Sequence, residues 1–204
     1  SVLGVDKFRE AIHMVDGGQV RRLGSTTVPQ TMASGISAFL GGKLGCGNLV
    51  STNSSACSTG TEAILTACER IRNGKATRML AGSCSDSGPY IWGGFDAMRV
   101  VPSAYNDTPE TASRPLAASA AGFVPSSGAG ALLLETLESA LARKAPIYAE
   151  ILGGAVNCGG QRNGGSMTAS NSAAVQKCFR EALSEAGVGP EGVNVINGHL
   201  TATA

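Results

Sequence analysis

Residues 53–76, NSSACSTGTEAILTACERIRNGKA, constrain the fold more than any other part of this chain. The preceding NLVSTN is short, β-branched and uncharged, and it reads as a buried strand. A cluster of small residues follows. Then Ala63, Ile64, Ala67, Cys68 and Ile71 recur at helical spacing, and Asn73-Gly74 supplies the stop, because glycine takes the left-handed C-terminal position without a Cβ clash. A strand that turns straight into a long helix belongs to neither a helical bundle nor a β-sandwich. It calls for a sheet with a helix laid on it.

The rest of the chain repeats that alternation. Pro29 opens a periodic segment, PQTMASGISAFLGGKLG, in which Gly41-Gly42 reads as the helix stop. TRMLAGSC and GAGALLLETL read as strands and ESALARK as a short helix. IYAEILGGAV reads as a strand, NSAAVQKCFREALSEAG as a capped helix and VNVINGH as a final buried strand. These elements predict a layered α/β fold whose mainly buried sheet is covered by helices. Residues 88–128 lack regular period, and an excursion of that length either carries function or shapes a neighbouring site. No repeat or low-complexity linker divides residues 1–204, so they read as part of one domain.

Composition narrows the function classes. Of 204 residues, 43% are hydrophobic, 15% are charged and 28 are glycine, which suits a tightly packed α/β protein rather than a disordered one. A formal net charge of +1 offers no electrostatic case for nucleic acid or an anionic membrane. No apolar run reaches the ~18–20 residues needed to span a bilayer, and SVLGVDKFRE lacks the basic start and apolar core of a signal peptide. A cytoplasmic location is the expectation. The six cysteines contain no CxxC pair and the two histidines lie far apart, so neither a disulfide framework nor a metal site is expected. Most of the thiols are expected to be buried as small hydrophobes. No cofactor is expected.

Cys57 is the exception. At a strand-to-helix turn the side chain projects above the sheet, and the first N–H groups of the helix point toward the sulfur. That field favours thiolate over thiol, and the same groups could stabilise an oxyanion. Small neighbours at Ala56, Ser58, Thr59 and Gly60 leave room for an acyl chain or a pantetheine arm. Cys68, eleven residues on, falls nearly in phase around the helix and reads as a packing residue. From the local pattern alone, Cys57 stands equally as a nucleophile or a structural cysteine.

The order of several motifs goes further. SSACSTGTEAILTACERIRNGKATRMLAG, then GGFDAMRVVPS, TPETASRPLAASAAGFVPSSGAGALLLETLESALARKAPIYAEILGG and VNVINGHLTATA resemble, in sequence, the β-ketoacyl-[acyl-carrier-protein] synthases. The resemblance runs from about residue 28 onward and corresponds to roughly the middle half of such an enzyme. It implies a thiolase-like layered αβαβα fold, incomplete in this chain. It also implies that Cys57 accepts the acyl group and that His199, in GHLTAT, is one of two active-site histidines. The partners implied are acyl-carrier protein and a second ketosynthase-like subunit, as a homodimer or heterodimer, with residues 49–55 at the two-fold interface. The second histidine would lie beyond the chain. His13 falls outside these motifs and reads as an ordinary polar residue.

The pattern departs from the family in places. Ala117 and Ala121 stand where the family usually carries aspartates, and Asn163 and Ser166 fall where an aspartate and a histidine are usual. These changes suggest a specialised or divergent ketosynthase. Two other functions fit less well. A non-elongating, chain-length-factor-like subunit would commonly lose the cysteine that is kept here. A thiolase-fold acyltransferase using coenzyme A thioesters fits the SRP…AGFV…GAGALLLETLE run less closely.

Overall fold

A computed structural model describes residues 4–159 and 165–203. Its sheet is a single antiparallel pair, β1 (Arg78–Ser85) and β2 (Gly128–Glu135), in register from Arg78 opposite Glu135 to Ser85 opposite Gly128. The helix predicted after Cys57 is α4 (Thr59–Arg72), and it lies on β1 with a lighter contact to β2. The contact is close at its start. A Cβ on Gly60 would fall 2.8 Å from Ser83 Oγ, so glycine lets the helix settle onto the strand.

Helices α1 (Val5–Asp16), α2 (Thr27–Thr31) and α3 (Gly35–Leu44) pack in series, and α5 (Pro89–Ala97) touches α1, where the Arg9 guanidinium sits 5.0 Å over the Tyr90 ring. The segment predicted to start at Pro29 is therefore two helices with a break at 32–34. It passes through Gly41-Gly42 and ends at Gly45, whose φ of 65° is the left-handed cap. Gly41 serves packing instead, since a Cβ there would meet Val50 Cγ2 at 3.0 Å. Helices α1 and α5 were not foreseen. Helix α6 (Leu137–Ala142) is capped by Thr136, whose hydroxyl accepts from the Ser139 N–H. Helix α7 (Ser172–Ala186) begins at Asn171, whose side chain accepts from the Ala174 N–H, and ends at left-handed Gly187.

Three expected strands are not formed. NLVSTN, IYAEILGGAV and VNVINGH belong to no ladder among the described residues. A strand is defined by its partner, and these segments find none here. Their apolar side chains stay in the open: Tyr148 is 94% exposed, Val195 83% and Ile196 78%. Among the described residues no large side chain is fully buried. The core is a set of small ones, Ala67, Cys68, Ala81, Ala112, Ala140, Ala174 and Ala202. The accessible surface of 14141 Å² compares with about 8,800 Å² for a compact monomer of this mass. No helix among the described residues is long and apolar enough to cross a membrane.

Candidate active site

The turn that carries Cys57 is built from side-chain hydroxyls. Residues Ala56–Ser58 form one turn of 3-10 helix, and Ala56 holds a φ of 50°, a conformation that costs an alanine ~1–3 kcal/mol and persists only where surroundings enforce it. The enforcing bonds are local. Buried Thr59 Oγ1 accepts from the Ser55 N–H at 2.9 Å and donates to Ala56 O at 2.7 Å. The Ser58 N–H donates to Ser55 O at 3.1 Å, and the single Ser58 hydroxyl proton is shared between that oxygen at 2.8 Å and Glu62 Oε1. Glu62, one turn into α4, accepts from the Ser55 hydroxyl, from Asn53 Nδ2 at 3.2 Å and from Ser58 Oγ at 3.2 Å. The Ser55 hydrogen bond leads in holding the Glu62 carboxyl below its ordinary pKa; burial is the next largest effect and opposes it, and the Ser58 and Asn53 hydrogen bonds add smaller lowering effects.

Cys57 is exposed at this turn, just ahead of α4. The expectation that the first amides face the sulfur needs correction. The Ser58 and Thr59 N–H groups already donate to Ser55 O and Ala56 O, so they close the 3-10 turn instead.

His199 lies in the unladdered segment after Val193 and is exposed. That segment is fixed just beyond it. Ala202, with φ 59° and 8% exposure, accepts from the Gly122 N–H at 2.9 Å, and Thr203 Oγ1 donates to Thr168 O at 3.4 Å. Gly122 belongs to the long excursion. It has a φ of 136°, and a Cβ there would run into Val100 O. The excursion thus supports the His199 segment, aided by the Phe95–Phe123 edge contact and by Arg114 stacked 5.1 Å over Tyr105. No hydrogen bond joins Cys57 to His199 among the described residues.

Of the departures, Ala117 donates its N–H to Arg114 O at 3.3 Å, beside left-handed Leu116, and Ala121 is exposed. Ser166 Oγ accepts from the Ala169 N–H at 3.0 Å and so closes a turn. Asn163 lies outside the described residues. His13 is exposed near the end of α1.

All six cysteines are free, but only Cys68 is buried, and burial pushes its thiol pKa up, with a smaller opposite effect from Arg72. Cys46, Cys57 and Cys158 are exposed, contrary to the expectation that most would be covered, because large parts of this chain have no layer over them. Cys46 and Cys84 line a cavity of about 570 Å³ between residues 46–53, α3, α4 and the sheet; its walls include neither Cys57 nor His199. No group of acidic, histidine and cysteine residues suited to a metal occurs among the described residues.

Two side-chain clusters were missed in the sequence. Glu62 had a signal, since Thr59-Gly60-Thr61-Glu62 matches the T-x-x-E pattern of a capping box, although here the carboxylate reaches serine hydroxyls. Arg72 had none. Its guanidinium donates to Ile151 O at 3.1 Å, to Leu152 O at 3.0 Å and to Glu185 Oε1 at 2.6 Å, while Glu185 also accepts from the Gly154 N–H.

The fold defined by these elements is that of the thiolase-like ketosynthases. A β-ketoacyl synthase from Burkholderia phymatum STM815 superposes with a TM-score of 0.87 at 30% identity, covering 100% of this chain and 48% of that one. A ketosynthase solved with its type II polyketide acyl-carrier protein superposes with a TM-score of 0.84 at 30% identity, covering 98% of this chain and 50% of the other. The Beta-ketoacyl synthase, N-terminal domain family matches residues 2–140, and the C-terminal domain family matches residues 148–204. The chain belongs to the beta-ketoacyl synthase family. Chloroplastic 3-oxoacyl-[acyl-carrier-protein] synthase I of Arabidopsis thaliana is 39% identical over 204 residues, which is 98% of this chain and 42% of that relative. The chain therefore spans less than half the length of that curated relative.

Proposed function

We propose that this chain is the cysteine-bearing part of a β-ketoacyl-[acyl-carrier-protein] synthase, a condensing acyltransferase of fatty acid or polyketide-type biosynthesis. Cys57 Sγ attacks the thioester of an acyl-carrier protein, forms a new thioester and releases the carrier thiol. A malonyl-carrier protein then loses carbon dioxide, and its enolate carbon attacks the Cys57 thioester. The carbon–carbon bond forms as the carbon–sulfur bond breaks, and the thiolate returns to Cys57. His199 donates a hydrogen bond to the enolate oxygen as negative charge develops there. Residues 1–204 act as one continuous part of the enzyme, paired with a second ketosynthase-like subunit through residues 49–55.

The observation that carries this reading is the exposed Cys57 at the start of α4, on a turn whose left-handed Ala56 is fixed by its neighbours, in a chain of this family. The test is mass spectrometry of the longer protein incubated with acyl- and malonyl-carrier protein. The acyl group is expected on the peptide bearing Cys57, and Cys57→Ala abolishes loading. His199→Ala keeps loading but slows condensation by ~10²–10³-fold. Equal acylation of Cys46, Cys84 or Cys158 would remove the case for a special nucleophile, and undiminished condensation by His199→Ala would remove the role of the histidine.

A further inference from the structure

Glu62 makes no hydrogen bond to the Cys57 sulfur, yet it binds the turn around that cysteine on both sides. Asn53 and Ser55 reach it from before the cysteine and Ser58 from after it. We propose that Glu62 is a positioning residue: through these side chains it holds the 53–58 turn, and with it the Cys57 sulfur, in the orientation from which acyl transfer occurs. The inference rests on the nucleophile reading of Cys57 and extends it to a residue that takes no part in bond making.

Three features support it. First, Ala56 sits in a left-handed conformation that an alanine leaves unless several contacts oppose the change. Second, hydrogen bonds to an ionised acceptor are stronger than neutral ones, and a carboxylate offers two oxygens to three donors where a hydroxyl or amide could not. The same bonds favour the ionised form. Third, Glu62 stands on α4, which Gly60 seats against Ser83 of β1, so the turn is referred to the sheet rather than to a free loop. Negative charge in the first turn also suits the helix dipole.

The test compares two reactions at Cys57, followed by peptide mass on the same protein. Acylation by the hexanoyl thioester of N-acetylcysteamine needs an aligned sulfur. Alkylation by iodoacetamide, small and unselective, needs only an accessible one. Glu62→Ala is expected to lower the ratio of acylation to alkylation rates by about tenfold or more, as misplacement of a reacting group does. Glu62→Gln, which keeps one acceptor oxygen but loses the charge and the second acceptor, is expected to recover only part of that loss. The double variant Ser55→Ala/Ser58→Ala leaves the carboxylate in place and removes both hydroxyl donors, keeping only Asn53 Nδ2, and it should reproduce most of the loss. A ratio within about twofold of the parent in both Glu62→Ala and the double variant would overturn the proposal.

Amide exchange separates this outcome from failure of the nucleophile reading. If the parent protein shows no preferred acylation at Cys57, that reading fails by itself, and the role of Glu62 is then judged on the turn. Exchange in the 53–59 peptide should quicken about tenfold in Glu62→Ala while the 78–85 peptide is unchanged. No change in 53–59 overturns the holding role. Equal quickening in both peptides also overturns it, since Glu62 would then support the whole fold rather than the turn.

Discussion

Glu135 shows what a single carboxylate contributes where β2 ends. Its side chain is 8% exposed and accepts from Arg143 Nε at 3.0 Å and Ser139 Oγ at 2.9 Å, with Arg78 Nε at 3.6 Å. The Arg143 hydrogen bonds lead in pushing its pKa below the ordinary glutamate value, and burial opposes them. A carboxyl whose folded pKa lies below its unfolded one adds stability that is complete above the unfolded value. That stability is lost as the pH falls through the folded value. Melting followed by circular dichroism should therefore decline on acidification through and below the ordinary glutamate range. Glu135→Gln should be less stable at neutral pH and should show a flatter decline. A variant with the parent's acid profile would place the titration elsewhere.

Among the elements, those legible in the sequence are those that close on local contacts. Helices α4 and α7 carry their own period, cap and glycine stop, and β1 and β2 find each other. The three unformed strands have equally good local patterns but depend on partners that no local pattern supplies, so their apolar residues predict burial and meet solvent. At the site, the sequence placed Cys57 just ahead of a helix, which α4 is, although the strand expected before it is not formed, and it named His199 only through resemblance. The T-x-x-E pattern pointed to Glu62 but not to its partners, which depend on where serine hydroxyls turn. The seat of α4 on β1 gives a direct test. Gly60→Ala should destabilise the protein by about 0.5–1.5 kcal/mol in chemical denaturation, the cost of pushing the Ser83 hydroxyl off its rotamer. Gly60→Ala combined with Ser83→Ala should recover most of that cost, a coupling that additive effects would not produce. Independent costs from the two substitutions would mean that the helix does not rest on this contact.

On the scale of the whole molecule, the exposed area exceeds that of a compact monomer by about 5,000 Å², roughly twice what each partner contributes to an obligate interface of about 5,000 Å² in total. A core made of alanines and one cysteine offers little apolar burial to oppose chain entropy. Residues 1–204 expressed alone are expected to bind an apolar dye such as ANS and to unfold over a broad urea range, as a loosely packed state does. The longer protein should unfold steeply and exclude the dye. A single steep transition in the isolated 204 residues, without dye binding, would refute this. Arg72 bears on how such a molecule is made. It meets Glu185 across 113 residues of chain, and at ribosomal rates of roughly 5–20 residues per second that separation is on the order of ten seconds of synthesis. During this interval α4 has already left the ribosome with its guanidinium unclasped, so the first-made half waits for the second with its docking face open, and any slowing of translation between the two lengthens the exposure.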